Sequence, residues 1–324
     1  MNKRMFSDVI GHKAACDVFL RQLEAERLAH AYLFIGPEHV GRTVFATKLL
    51  NELFAKHKGS LASHADVRFV TRAVDEKTGK EKQQISVKQI RELREHLSMS
   101  AIDGGWKAVF IEEADKLNIA ASNALLKTLE EPSGKTIIIL RAPSMESVLP
   151  TIASRCQIMR FHLVSKQEIE KALKKRGLSP VEAKRYSALS SGRPGWALRL
   201  VTDSAFRAEM ETAVHATLEQ LNSSLSGRLK SVQNMLPKDE VNKITAARLV
   251  MDRWEQVIRD ILLVQCGNEK HATHQEALEE ISAVAKTRSR AQWLKILLTI
   301  SESRQALAQN TNPQIALEHI LITL

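Results

Sequence analysis

Little in this sequence suits life outside a cell or within a membrane. Only three cysteines occur among 324 residues, Cys16, Cys156 and Cys266, each more than 100 positions from the next. Without a CxxC pair, a compact four-thiolate zinc site is excluded, and nothing suggests a disulfide framework. Buried, reduced thiols are expected. No apolar run approaches the roughly 20 residues that cross a bilayer. The opening segment Met1–Asp8 lacks the apolar stretch of a secretory signal. A cytoplasmic protein with no membrane partner is therefore expected. Aromatic residues make up only 5% of the chain, and stretches rich in Ala, Leu, Glu, Lys and Arg predict mostly helix.

What is present has the balance of a globular protein, 44% hydrophobic and 26% charged. The length is too great for one ordinary core and predicts two or three domains. The formal charge of +10 is unevenly spread: residues 161–200 carry +6, while residues 201–324 carry −1. The densest stretch holds Lys171, Lys174, Lys175, Arg176, Lys184 and Arg185. Such a patch suits nucleic acid or an acidic partner, and equally the solvated face of a helix. Charge alone does not choose.

Five short apolar runs read as strands: Ala31–Ile35, Val67–Val70, Ala108–Ile111, Thr136–Leu140 and Gln157–Phe161. Their continuous apolarity predicts parallel strands covered on both faces. Helical patterns lie between them. Val87, Ile90, Leu93 and Leu97 share one stripe; Ile119, Ser122, Leu126 and Leu129 share another, ended by Pro132. Strand–helix alternation through residue 161 predicts a doubly wound α/β domain. Beyond Phe161 the strands stop. Ser165–Arg176 and Pro180–Leu189 read as a helical pair, followed by a turn at Ser190–Gly195 and a helix from Trp196. From about Ala205 onward everything reads as amphipathic helix. The last helix has Asn312 as its N-cap, Pro313 at its first position, and Ile315, Ala316, Ile320 and Leu324 as its expected buried stripe. Thr71–Gln84 reads as a polar loop without chemistry.

The segment Gly36-Pro37-Glu38-His39-Val40-Gly41-Arg42-Thr43 follows the first strand and opens a helix. It has the frame G-x-x-x-x-G-K-[ST] of a P-loop, whose glycines let backbone N–H groups meet phosphate oxygens at a helix N-terminus. The seventh position should be Lys. Arg42 stands there instead, a planar and bulkier cation that fits a tight phosphate cradle poorly. Glu38 adds negative charge inside the loop. The third strand runs into Glu112 and Glu113, a Walker B arrangement in which the first carboxylate helps hold Mg²⁺ and the second orients the attacking water. The usual first residue is Asp, and Glu112 is one methylene longer.

Two further segments make the frame specific. Asn123-Ala124-Leu125-Leu126-Lys127-Thr128-Leu129-Glu130-Glu131-Pro132 closely resembles the NALLKTLEEP helix of the AAA+ clamp-loader family, and Ser154-Arg155-Cys156 resembles its SRC motif. The resemblance covers nearly the whole chain, from Phe6–Gly11 to Asn312–Glu318. It implies a RecA-like AAA+ core at 1–163, a small helical lid at 164–204 and an all-α collar at 205–324 that holds a hetero-pentamer together. It also implies that Arg155 is an arginine finger acting on a neighbour's ATP, offsetting charge that develops on the transferred phosphoryl group.

Ser190–Leu198 is similar to the SGxPGxAL stretch of a non-motor branch; where motor subunits have a sensor arginine, this chain has Gly195. After Leu140, Arg141-Ala142-Pro143 replaces small polar residues. The degenerate nucleotide site is thus Gly36, Gly41, Arg42, Thr43, Glu112 and Glu113, requiring no cofactor and holding any ATP or ADP idly. Most family members carry a four-cysteine zinc module; here Ala55–His64 has no Cys, and two His residues seven apart make a poor tetrahedral set. No zinc and no other metal is expected. The implied partners are the gamma/tau motor and delta subunits and, through them, the sliding clamp and primed DNA. The competing readings are a self-sufficient AAA+ ATPase, such as a motor subunit or helicase, and a simple DNA-binding module.

Overall fold

A computed structural model describes residues 5–55, 59–102, 105–237, 240–309 and 311–323. Among them, β1 (Ala31–Ile35), β2 (Val67–Val70), β3 (Lys107–Ile111), β4 (Thr136–Ala142) and β5 (Gln157–Arg160) form one sheet, ordered β2-β3-β4-β1-β5. Every pairing is parallel. The three inner strands are buried on both faces, which is why their sequences show no alternation. The two outer strands differ from that expectation. β2 is exposed at Arg68 and Phe69, and β5 is only partly covered, because each lies at a sheet edge.

The period-2 geometry of a strand sends alternate side chains to opposite layers. Tyr32, Phe34, Phe110, Ile137 and Ile139 enter one core with α1 (Lys13–Glu24) and α2 (Arg42–Leu53). Leu33, Ile35, Val109, Ile111, Ile138 and Leu140 enter the other, with α3 (Val87–Ser98) and α4 (Ile119–Glu130). The scarce aromatics are concentrated. Seven of the chain's nine Phe residues pack in the first core, where Phe6 stacks on Phe45 at 4.4 Å and Phe34 meets Phe161 at 5.2 Å. Each such burial contributes about 1.5–3 kcal/mol, so a low aromatic content still supplies a firm floor beneath β1.

The α3 stripe is as expected, with Ile90, Leu93 and Leu97 buried and the start fixed by a capping box between Ser86 and Gln89. On α4 the stripe is displaced. Ile119 is 74% exposed, Leu126 is half-buried, and the packed residues are Ala121, Ser122, Leu125, Thr128 and Leu129. The helix turns that face towards α3, leaving Ile119 to protrude from the first turn after the Asn118 cap.

After α5 (Pro150–Ala153) and β5 come α6 (Lys166–Lys175), α7 (Pro180–Leu189) and α8 (Pro194–Thr202). The last begins two residues earlier than expected. Lys171, Lys174, Lys175, Arg176 and Lys184 are all exposed, with Lys174 on Glu170 at 2.6 Å. The chain divides into two compact units, Met1–Leu198 and Arg199–Leu324.

The second unit consists of α9 (Ser204–Asn222), α10 (Leu225–Met235), α11 (Glu240–Gln265), α12 (Leu278–Ala285), α13 (Arg290–Ala308) and α14 (Pro313–Thr323) among its described residues. Trp254 and Trp293 are buried in its core. Asp260 is fully buried and accepts from the backbone N–H of Thr273 at 2.9 Å and from His274 Nδ1 at 2.8 Å. Burial alone would raise this carboxyl, but the bonds from His274 and Thr273 prevail and hold it below its ordinary value.

On α14 the Asn312 side chain caps Gln314 N–H at 2.9 Å, as expected. Its stripe is not as expected. Ala316, Leu317, Ile320 and Leu321 are buried, Ile315 is 59% exposed, and Leu324 lies outside the described residues. Apolar residues surround this helix, so their spacing could not pick the packed face. Cys16 is buried and Cys156 partly so, but Cys266 is exposed, against the expectation for all three. No helix of the described residues is long and apolar enough to cross a membrane.

Candidate functional site

In a parallel sheet, ligands meet the loops beyond the carboxyl ends of the strands, and here every candidate for this chain's own nucleotide site sits at that edge, while Arg155 precedes β5. Gly36 leaves β1 with φ 145°, a conformation that suits glycine, and a Cβ there would lie 2.0 Å from the Phe161 carbonyl oxygen. His39 and Gly41 also have positive φ, 61° and 108°, which gives the segment its curled path into α2. His12 supports it from beneath, its Nε2–H donating to the Val40 carbonyl at 2.9 Å. Burial, ahead of any charge effect, pushes that imidazole below 6.5 and favours its neutral form.

The side chains that should address phosphate and metal are already engaged. Arg42 is buried and its Nη1 donates to the Ala142 carbonyl. Burial, and then the nearby Arg141, push its guanidinium down to about 10, with Glu38 and Asp115 acting in the opposite sense. β4 runs two residues past its predicted end, so Arg141 is a strand residue paired in register with Phe34. From there Nη1 donates to the Thr43 hydroxyl at 2.6 Å and Nε donates to the Glu112 carbonyl at 2.6 Å. Nη2 lies 3.7 Å from the Glu112 carboxylate. Glu113 accepts from Arg72 Nε at 2.9 Å, and Arg72 Nη2 reaches Glu81 at 2.7 Å. The polar loop expected to carry no chemistry therefore supplies the partner of the second Walker B carboxylate.

A P-loop of this frame is built for a nucleoside triphosphate with Mg²⁺. The curled backbone suits phosphate. The metal position does not fit, since Thr43 and Glu112 face a guanidinium instead of an open corner.

The sensor position is closed as well. The backbone N–H of Gly195 donates to the His39 carbonyl at 2.8 Å, and a Cβ at Gly195 would come within 3.0 Å of that oxygen. His39 and Trp196 rings are 5.8 Å apart. The first turn of α8 thus lies directly on the P-loop.

Arg155 has a different setting. It follows the short α5, with its side chain 36% exposed and its Nη2 on Glu130 at 2.6 Å. Its Nη1 donates to the Thr151 carbonyl at 3.1 Å. Neighbouring Cys156 is pushed up to about 12 by burial, so it is an inert thiol in this motif. Glu130 is the first glutamate of the NALLKTLEEP segment, so the two diagnostic segments meet as an ion pair.

The family model described as DNA polymerase III, delta subunit, matches residues 11–165. That span holds the P-loop, both Walker B acids, Glu130 and Arg155. The DNA polymerase III subunit delta' of Bacillus subtilis is 27% identical over 317 residues, covering 93% of this chain and 92% of that one. The chain is similar over nearly its whole length to a DNA polymerase III delta-prime subunit. A Pseudomonas aeruginosa delta-prime subunit is 34% identical over 53% of this chain and 56% of its own. The tau subunit of Bacillus subtilis is 31% identical over 51% of this chain and 30% of its own.

Within this delta-prime frame, the sequence located Gly36, Gly41, Arg42, Thr43, Glu112 and Glu113, and the fold gathers all six at one edge. Arg155 lies apart from them. What sequence reasoning missed are the groups that hold these side chains: His12, Arg72, Glu130 and the bridging role of Arg141. Arg72 stands 41 positions before its partner, and only the parallel pairing of β2 with β3 brings the two together. Of the two histidines weighed for zinc, His64 is buried, accepts from Asp66 N–H at 3.0 Å and packs edge-on against Phe54; His57 lies outside the described residues.

Proposed function

We propose that this chain is the non-hydrolysing or weakly hydrolysing subunit of a sliding-clamp loader in DNA replication, donating Arg155 in trans to the ATP of an adjacent motor subunit. Similarity to delta-prime and tau subunits supports the coarser part of that statement, a role in the DNA polymerase III clamp loader. The finer part rests on one contrast of geometry. Arg155 is held at the surface by Glu130 and Thr151, while Thr43, Glu112 and Glu113 are occupied by Arg141 and Arg72. A guanidinium in a fixed exposed position is suited to charge that develops outside its own fold. The gamma/tau and delta subunits are the expected contacts, with the clamp and primed DNA reached through the assembly. A self-sufficient ATPase would need its Walker threonine and acids available to metal and water, and that reading finds no support in these contacts.

The test is ATP hydrolysis by the reconstituted loader, stimulated by clamp and primed DNA, with Arg155→Ala compared against the unaltered subunit. Loss of most of the stimulated turnover, with assembly intact, supports the finger; equal turnover reduces Arg155 to a surface ion pair. Turnover by the isolated chain at motor-subunit rates overturns the whole proposal.

A further inference from the structure

We propose that the guanidinium of Arg141 is a built-in replacement for the divalent cation of a P-loop, so that the cradle admits no metal and its affinity for nucleotide is indifferent to Mg²⁺. The inference rests on reading Gly36–Thr43 as a P-loop. It is independent of whether Arg155 reaches a neighbouring site.

Position is the first support. Arg141 sits on β4, between the strand that leads into the P-loop and the strand that leads into the Walker B acids. A divalent cation in such a fold is held by the threonine hydroxyl that closes the loop and by the Walker B carboxylate. Arg141 reaches both residues: Nη1 donates to Thr43 Oγ1 at 2.6 Å, Nη2 lies 3.7 Å from Glu112 Oε2, and Nε donates to the Glu112 carbonyl at 2.6 Å. Mg²⁺ demands oxygen ligands at about 2.0–2.1 Å in near-octahedral array. A guanidinium nitrogen already bonded to the threonine oxygen leaves no place for the ion there.

The local charge points the same way. Arg42 is buried close enough to Arg141 for the two cations to disfavour each other, so a third positive centre would enter beside two of its own sign. The second Walker B acid gives no relief, because Glu113 is held by Arg72, which is itself shared with Glu81. Chemistry explains why arginine does this. Its flat fork carries donors spaced to bridge oxygens on two different elements, whereas a lysine is a single point of charge. What closes the α2–β3 gap is the geometry of the fork.

The experiment uses the full chain and a fluorescent ADP analogue, titrated once with excess Mg²⁺ and once with EDTA. For the unaltered chain the two curves should agree within about twofold, flat titrations in both buffers included. In Arg141→Ser, which frees Thr43 and Glu112, Mg²⁺ should tighten binding at least about tenfold over EDTA. Mn²⁺ followed by electron paramagnetic resonance should then show a protein-bound, nucleotide-dependent ion in the variant alone. If Arg141→Ser does not fold, the neutral and nearly isosteric Arg141→Gln is held to the same criteria. Tenfold tightening by Mg²⁺ in the unaltered chain overturns the proposal, as does a folded variant that stays indifferent to the metal. Neither result bears on Arg155, whose test is turnover in the assembled loader.

Discussion

At the end of β4, Arg141 spends its donors on Thr43 and Glu112, and beside it Arg42 is buried against the Ala142 carbonyl. Beyond α5, Arg155 touches Glu130, Thr151 and Ser154, all at the surface. Both corners belong to one compact unit and use one kind of side chain. In the first, guanidinium groups join elements of the same fold, Arg42 buried and Arg141 partly so, with their donors spent inside it. In the second, a guanidinium is steadied yet left reachable. A charged group becomes a structural tie or a presented tool according to how far its desolvation is already paid inside its own chain.

If that distinction is right, the closed regions should be costly to disturb and the open one cheap in stability. The largest effect is expected at the buried carboxylate of the helical unit. Asp260→Ala leaves His274 and two backbone N–H groups without an acceptor and should cost about 3–5 kcal/mol in chemical denaturation. Gly36→Ala places a methyl group 2.0 Å from the Phe161 oxygen and should cost about 3 kcal/mol or prevent folding. Arg155→Ala should cost less than about 1 kcal/mol in the same measurement. Equal losses at Gly36 and Arg155 would erase the contrast.

Smaller effects sharpen it. Glu130→Gln weakens the hold on Arg155 and should lower stimulated turnover of the assembled loader about three- to tenfold, in kcat more than in KM; unchanged kcat would show that the ion pair does not aim the finger. The mildest prediction concerns His12. Because burial lowers its folded pKa from 6.5, unfolding takes up a proton as pH falls below 6.5, and stability drops from there towards the folded pKa. Above 6.5 the contribution is flat. His12→Asn should remove that part of the slope in urea midpoints measured between about pH 5 and 7.

Much of this was legible because the informative signals are local. A buried strand announces itself as a short apolar run, and all five were placed to within two residues. The turn Gly36–Thr43 depends on glycines at fixed offsets, so its identity survives the loss of the lysine. The start of the last helix was equally visible in Asn312 and Pro313. What stayed hidden depends on through-space neighbours. Arg72 looked like part of a solvated loop until the β2–β3 register set it on Glu113. Arg141 looked like a residue just past a strand, and two extra residues of pairing turned it into a bridge. On α14, apolar residues all round left the packed face to be chosen by tertiary contacts.

The hydrogen bond that the Gly195 amide donates to the His39 carbonyl has a mechanical meaning. It is made by two backbone groups, and a side chain at Gly195 would push against that oxygen. The hinge between the loop and α8 is therefore latched by the chain's own spine. Such a joint is made without any side chain, so its geometry follows from the backbone alone. Under the proposed function, a part built this way would serve as a fixed frame beside neighbours that cycle.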